Sequence, residues 1–440
     1  MARQDGVLER WFRLRENGTS VRTEVVAGIT TFMTMAYIIV VNPAIVGLTG
    51  MPLEGVVLAT AVSAAFATLL MSFLANYPFA LAPGMGLNAY FTYTVVLGMG
   101  VEWQTALGAV FISGVLFLLL TVTRLRSVVI DAVPDTLKSA IGAGIGLFIA
   151  FIGLQNAKII VPSDATIVSL GDFSNPETLV ALIGILITGG LMALGVKGAI
   201  LIGIILTAFV GIGFGIMEMP AAIVSWPNFG AWGEILGQLD IKGAFDLGLF
   251  TIVFAFLFVD FFDTMGTLIG VAKQGNFLDQ EGRLPRAERA LLSDAVGTMA
   301  GAFVGTPTVT AYVESASGVA VGGRTGLTSL VVAGAFLVAP FFSPLIVTFA
   351  DNLAITAPAL FAVGVLMLRP VASIQWEEFS EALPAFTAMI MMPLAYSIAE
   401  GISLAFIAYP LVKLIAGKGR TVHPIMWILA VLFILRYIFL

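Results

Sequence analysis

Asp260 and Asp263 stand inside an otherwise apolar run, Phe254 to Gly270, where a carboxyl group is costly unless it is paired, hydrated or protonated. At 1.5 Å per residue from Leu249, Asp260 falls about 16 Å along a helix, near the middle of a bilayer. Asp263, Thr264 and Thr267 follow at i+3, i+4 and i+7, so the four share one polar stripe that must face protein or water rather than lipid. Two like carboxylates on adjacent turns repel when both are ionised, so at least one holds a proton or contacts a donor. Proton coupling at Asp260 or Asp263 is the chemistry this spacing suggests.

Glu314 is the third acid. It lies in the segment Gly305 to Gly318, where Pro307 and alternating β-branched residues predict an extended stretch and Ser315 and Ser317 open a short helix. A counterpart runs from Tyr77 to Tyr90. Its Pro78 and Pro83 forbid a continuous helix before Pro83, where the helix is expected to begin, and Gly84, Gly86 and Asn88 follow. Two such strands meeting from opposite sides leave two helix N-termini facing each other, with free N–H donors at membrane depth. Glu314 joins the candidates for proton coupling, against the plainer reading of a structural hydrogen bond. Asn88 brings a donor and an acceptor to a place where a heterocycle could bind, while capping or packing of the half-helix is the alternative for it and for Tyr90. Asn42-Pro43 is expected to end the first span, and Asp294 to sit near the start of its helix as a dipole partner. Gly142, Gly144 and Gly146 have no preceding strand, so they predict close helix packing and no nucleotide loop.

The elements that carry these residues are set by the solvent. The chain has 440 residues, 59% hydrophobic and 11% charged, with a mean hydropathy of +1.02. An ordinary soluble domain carries about 25% charged residues, so lipid is the main solvent here. With no Cys and His423 as the only histidine, thiolate chemistry, a Cys/His metal site and a Ser-His-Asp triad fall away, and an enzyme is not expected. No metal and no cofactor are implied, and nothing suggests nucleic-acid binding. Residues 1–22 are charged and polar without a cleavable apolar core, which predicts a cytoplasmic N-terminus.

Apolar runs between breakers predict an all-α polytopic membrane protein with spans near 24–46, 56–76, 84–98, 104–122, 138–154, 177–194 and 198–217. A Trp-containing linker over 219–247 follows, expected outside the cell. Further runs lie near 249–271, 288–304, 312–322, 325–349, 355–370, 381–396, 399–417 and 424–440, giving about fourteen crossings, with those after 381 open. Arg124, Arg126, Lys197, the Lys273–Arg289 loop, Arg324, Lys413, Lys418 and Arg420 fall on the N-terminal side, while Lys158 and Lys242 fall opposite. Glu177 and Lys197-Gly198 are echoed by Glu381 and Glu400-Gly401, and Ala140-Ile141-Gly142 by Ala362-Val363-Gly364. A duplicated set of seven spans inserts with opposite topology, which places a substrate site near the midplane.

Four stretches carry a resemblance: Arg22 to Tyr37, Ala82 to Tyr90, Val259 to Thr267 and Tyr312 to Gly318. In these the chain resembles the AzgA-like adenine/guanine/hypoxanthine permeases of the nucleobase:cation symporter 2 superfamily, essentially end to end. The resemblance implies a seven-plus-seven inverted repeat, with a core of 23–123 and 248–350 that holds substrate and a gate of 124–218 and 351–440. It implies that Asn88, Asp260 or Asp263, and Glu314 contact a purine, with a co-transported proton as the energy source; Thr264 and Ser315 join them as candidates. Asp263 to Gly266 is similar to the Glu-x-x-Gly of uracil and xanthine relatives, which favours Asp263 as the equivalent acid. The expected setting is the cell membrane, multi-pass, with a homodimer as one expectation for assembly. The rival is an anion exchanger or channel of the same architecture, because facing helix N-termini also attract anions, but such a site should offer Arg or Lys rather than acids.

Overall fold

A computed structural model describes residues 6–123, 132–245 and 250–439. Arg124, Arg126 and Leu249, used above for orientation and depth, lie outside the described residues. A short amphipathic helix, α1 (Val7–Phe12), precedes the bundle. The first set of seven then comprises α2 (Val21–Met35) with α3 (Ile38–Val46), α4 (Leu53–Leu70), strand β1 (Leu81–Pro83) with α5 (Met85–Ala89), α6 (Trp103–Val122), α7 (Asp135–Asn156), α8 (Pro176–Ala193) and α9 (Ala199–Gly213). α5 runs on as a π-helix over Tyr90–Gly98. Between α7 and α8 lies a hairpin, β2 (Ile160–Ser163) and β3 (Ile167–Leu170), that the hydropathy pattern did not foresee. The linker carries α10 (Phe229–Gly233) and α11 (Ile241–Ala244).

The second set repeats the plan: α12 (Phe250–Gly275), α13 (Ala287–Val304), β4 (Val309–Ala311) with α14 (Ser315–Ala320), α15 (Gly326–Val338) with α16 (Ser343–Ala350), α17 (Leu353–Met367), α18 (Phe379–Leu394) and α19 (Ile398–Ile415). One further helix, α20 (Pro424–Phe439), closes the chain. The protein is a multi-pass membrane protein, and its helices meet the expected element boundaries within a few residues.

The strands lie where the prolines put them. β1 and β4 pair antiparallel, with Leu81 opposite Ala311, Ala82 opposite Thr310 and Pro83 opposite Val309. The flanking bonds are Gly84 N–H to Thr308 C=O, 2.9 Å, and Tyr312 N–H to Ala80 C=O, 2.9 Å. These bonded pairs alternate with pairs whose N–H and C=O point away from the partner strand. Pro83, which has no N–H to offer, occupies one such outward position. The half-helix begins at Met85 with Gly84 as its cap, two residues later than expected, because Pro83 is still part of the strand.

Leu81 and Val309 are fully buried, so the outward groups of each strand need a partner from the protein. In the first half Thr68 of α4 supplies it: its Oγ1 donates to Leu81 C=O and accepts from Leu81 N–H, both at 2.9 Å. In the second half Thr298 of α13 does the same for Val309, at 3.0 and 3.2 Å. The inverted repeat is thus visible in single hydrogen bonds as well as in helix order.

The first span does not end at Asn42-Pro43. The helix breaks earlier, at Ala36 and Tyr37, and α3 then runs through Pro43 to Val46. Pro43 clashes with the carbonyl of Ile39 and removes a bond to it, so the disruption falls about one turn on its N-terminal side. Glycines set the seam between α7 and α17. A Cβ on Gly146 would lie 2.8 Å from Gly364 C=O, and one on Gly364 2.5 Å from Gly146 C=O, so α7 and α17 touch backbone to backbone. Gly144 packs as closely on Met392, whereas Gly142 meets nothing within 4 Å.

Candidate functional site

The crossing of β1 and β4 brings the sequence candidates together. α12 runs past it, α13 backs it, and α5 and α14 leave it in opposite directions. Glu314 stands immediately before α14 and accepts a 2.6 Å hydrogen bond from Tyr37 Oη, which lies at the break between α2 and α3. Thr34 Oγ1 meets Ser317 Oγ at 2.9 Å beside it. The break in the first span therefore serves the acid of the second half. Asp263 and Tyr312 both lie within electrostatic range of Glu314. Asp263 is half-buried, and no group among the described residues hydrogen-bonds it.

Asp260 is 1% exposed and takes one hydrogen bond, from Thr298 Oγ1 at 3.0 Å, on Oδ2; its Oδ1 has no partner. Thr264, one turn along α12, donates to Asp294 Oδ1 at 2.8 Å and meets Thr310 Oγ1 at 2.7 Å. The two contacts are reciprocal: an acid and a threonine on α12 face a threonine and an acid on α13. Asp294 is not a first-turn dipole partner. It sits mid-helix, fully buried, with Oδ2 unpartnered, because α13 starts at Ala287 and carries it inward by two turns.

Asn88 is also fully buried. Its amide donates to Asn42 Oδ1 at 2.6 Å, and Asn42 in turn donates to Thr60 Oγ1 at 2.7 Å and Thr306 Oγ1 at 3.0 Å. The Asn88 carbonyl oxygen has no partner. Ser315 Oγ accepts from Ala80 N–H at 3.0 Å, which ties α14 to the approach of β1. Gly86 lets α5 lie against α7, since a Cβ there would stand 2.4 Å from Ile145 Cγ2.

The structure thus gathers Asn88, Asp260, Asp263, Thr264, Glu314 and Ser315 around one strand crossing. Tyr37, Asn42, Asp294 and Thr298 belong to it as well. Only the depth of Asp294 in an apolar helix offered a sequence signal, and the charged first turn of α13 masked it. No group of three or more Asp, Glu or His side chains among the described residues has the arrangement of a metal site. Chemically, the crossing presents acceptor carboxyls, hydroxyls and an amide oxygen, with no cation bonded to any of its acids among the described ion pairs.

A family model described as a permease family, Xan_ur_permease, matches residues 22–415. A permease of Methanocaldococcus jannaschii is 52% identical over 433 residues, covering 98% of each chain. The adenine permease AdeP of Escherichia coli is 43% identical over 435 residues, covering 99% of this chain and 97% of its own. The guanine/hypoxanthine permease PbuG of Bacillus subtilis is 45% identical over 448 residues, covering 98% and 100%. Among solved structures, the transmembrane domain of the cyanobacterial bicarbonate transporter BicA matches with a TM-score of 0.62 at 17% identity, over 86% of this chain and 97% of that one. The murine anion transporter Slc26a9 in its inward-facing state matches with a TM-score of 0.63 at 11% identity, over 94% and 73%. At these identities the two anion carriers share the seven-plus-seven fold alone. The relatives are permeases rather than enzymes, and the chain belongs to the nucleobase:cation symporter 2 family of permeases.

Proposed function

We propose that this chain takes up purine nucleobases, adenine or guanine/hypoxanthine, across the cell membrane by proton symport, with its N-terminus in the cytoplasm. The observation that carries the reading is the strand crossing with Asp260 buried and Glu314 partly buried among polar groups and without a bonded cation among the described residues. A purine edge alternates ring nitrogen, N–H and exocyclic groups, and it suits carboxyl acceptors and backbone N–H donors. Asp263, which has no hydrogen-bond partner among the described residues, and Glu314 hold the base. Asn88, Thr264 and Ser315, each hydrogen-bonded within the protein, keep the frame around it in place, and Asp260 takes the proton. Residues 23–123 and 248–350 then move as a core against a gate of 124–218 and 351–440. The purine permeases among the relatives support the substrate class. The acids count against the anion exchanger that the shared fold also permits.

Uptake of labelled adenine, guanine, hypoxanthine and uracil in a purine-transport-deficient cell, measured across a range of external pH, tests this. Purine uptake that falls as the medium becomes alkaline is the expected result. Uptake that is flat with pH removes proton symport, and uptake of uracil alone removes the purine assignment.

A further inference from the structure

Thr298 has one hydroxyl proton and two acceptors. Its Oγ1 stands 3.0 Å from Asp260 Oδ2 and 3.0 Å from Val309 C=O, both of which accept and neither of which donates unless Asp260 is protonated. Val309 occupies an outward-pointing position of β4, opposite Pro83, so the strand pair brings its carbonyl no donor. The first half supplies the comparison: Thr68 brackets Leu81 in the same way, and no acid competes for its proton.

We infer that Asp260, Thr298 and Val309 form a proton-operated latch on β4. With a proton on Asp260, the acid donates to Thr298 Oγ1. Thr298 accepts that bond and the one from Val309 N–H, and gives its own proton to Val309 C=O. The Thr298 hydroxyl and both backbone groups of Val309 are then satisfied, and Asp260 Oδ1 alone is left without a partner. When the proton leaves, the Thr298 proton turns to the carboxylate and the fully buried Val309 C=O loses its donor. β4 leads within three residues of its end to Glu314 and α14, so occupancy of one proton site alters the seating of the half-helix that holds the base. The inference rests on the proton-symport reading and names the group through which the proton acts. Thr298 is a positioning residue, with no contact to substrate.

The groups around Asp260 keep the reading specific. Asp263 shares its helix, Asp294 faces it from α13 and Glu314 stands ahead of α14. Lys138 of α7 is bonded to Asp135 at 2.8 Å and lies 5.9 Å from the Phe262 ring centre. On α19, Glu400 and Lys413 are paired with Arg436 and Glu381. α5, α6 and β4 carry no ionisable side chain.

The test uses purified full-length protein in liposomes. Base-for-base exchange is measured at equal pH on both sides, and accumulation under an imposed gradient of one pH unit, which for one proton per base supports about tenfold concentration. Thr298→Val keeps the side-chain shape and removes the hydroxyl. It is expected to lose accumulation by a much larger factor than exchange, while Thr298→Ser retains both and Thr68→Val retains accumulation relative to its own exchange rate. Accumulation by Thr298→Val equal to that of the unaltered protein overturns the inference. So does an equal loss of accumulation in Thr298→Val and Thr68→Val, which would mark both threonines as structural only. If Thr298→Val does not fold, Thr298→Ala is read by the same ratio. Failure of the unaltered protein to accumulate base at all would instead bring down the symport reading.

Discussion

Three buried acids, one from the first repeat and two from the second, fall into two kinds of surroundings. Glu24, near the start of α2, is fully buried and takes hydrogen bonds from Arg324 N–H, Thr325 N–H and Oγ1, and Thr328 N–H and Oγ1, at 2.7 to 3.2 Å. It is a carboxylate set on the N-terminus of α15, where backbone donors and the helix dipole both favour negative charge. Asp260 and Asp294 are as deeply buried, yet each has one hydroxyl donor and one oxygen with no partner. Burial alone therefore does not separate a satisfied acid from an under-satisfied one. The number of donors does, because a satisfied carboxylate holds one arrangement whereas an under-satisfied one leaves room for a proton or a ligand.

The largest effect expected from this contrast is at Glu24. Glu24→Ala leaves five donors facing a hole and unties α2 from α15, which should cost about 3–5 kcal/mol of stability, the range for breaking a buried charged contact. Thermal unfolding in detergent measures it, and a midpoint close to that of the unaltered protein would show that the donors find other partners. Next are Asp263→Asn and Glu314→Gln. Uptake of base should fall at least about 100-fold, equivalent to roughly 2.7 kcal/mol, with little loss of folded protein, because neither change strips a donor network. If either variant transports normally, or unfolds as readily as Glu24→Ala, the division between the two kinds of acid fails.

The sequence shows one side of this contrast better than the other. Asp260, Asp263 and Glu314 stand out because each interrupts an apolar run, and Pro78, Pro83 and Pro307 mark the strands because a proline cannot continue a helix ladder. Those local signals fix the crossing and its acids. Tyr37, Asn42, Thr68 and Thr298 give no such signal. Each is a residue that an apolar helix tolerates, and its role arises from a partner elsewhere in the fold: Tyr37 bonds Glu314, 277 positions away, and Asn42 bonds Thr306, 264 positions away. Glu24 is hidden for the same reason, since its five donors come from residues about 300 positions on. The β2–β3 hairpin escaped because its strands are short, only partly buried and outside any hydropathy period.

The smallest expected effect completes the comparison at the protein surface. Glu378, in the connection before α18, pairs with Lys418, and that hydrogen bond, followed by those from Ser380, pulls its carboxyl down to about 2. A depressed carboxyl contributes stability above its unfolded value, and that contribution is lost only as the pH falls toward 2. Glu378 is nevertheless open to water, which screens the pair and leaves the two long side chains little to gain from being held together. Glu378→Gln is accordingly expected to leave both the unfolding midpoint and purine uptake unchanged between pH 5 and 8. It carries as many named partners as Asp260 or more, so a clear loss in this variant would mean that counting donors misjudges acids whose surroundings are water. An unchanged protein would confine the rule to acids that water cannot reach, where each missing donor must be made up by a proton, a ligand or a shift of the chain.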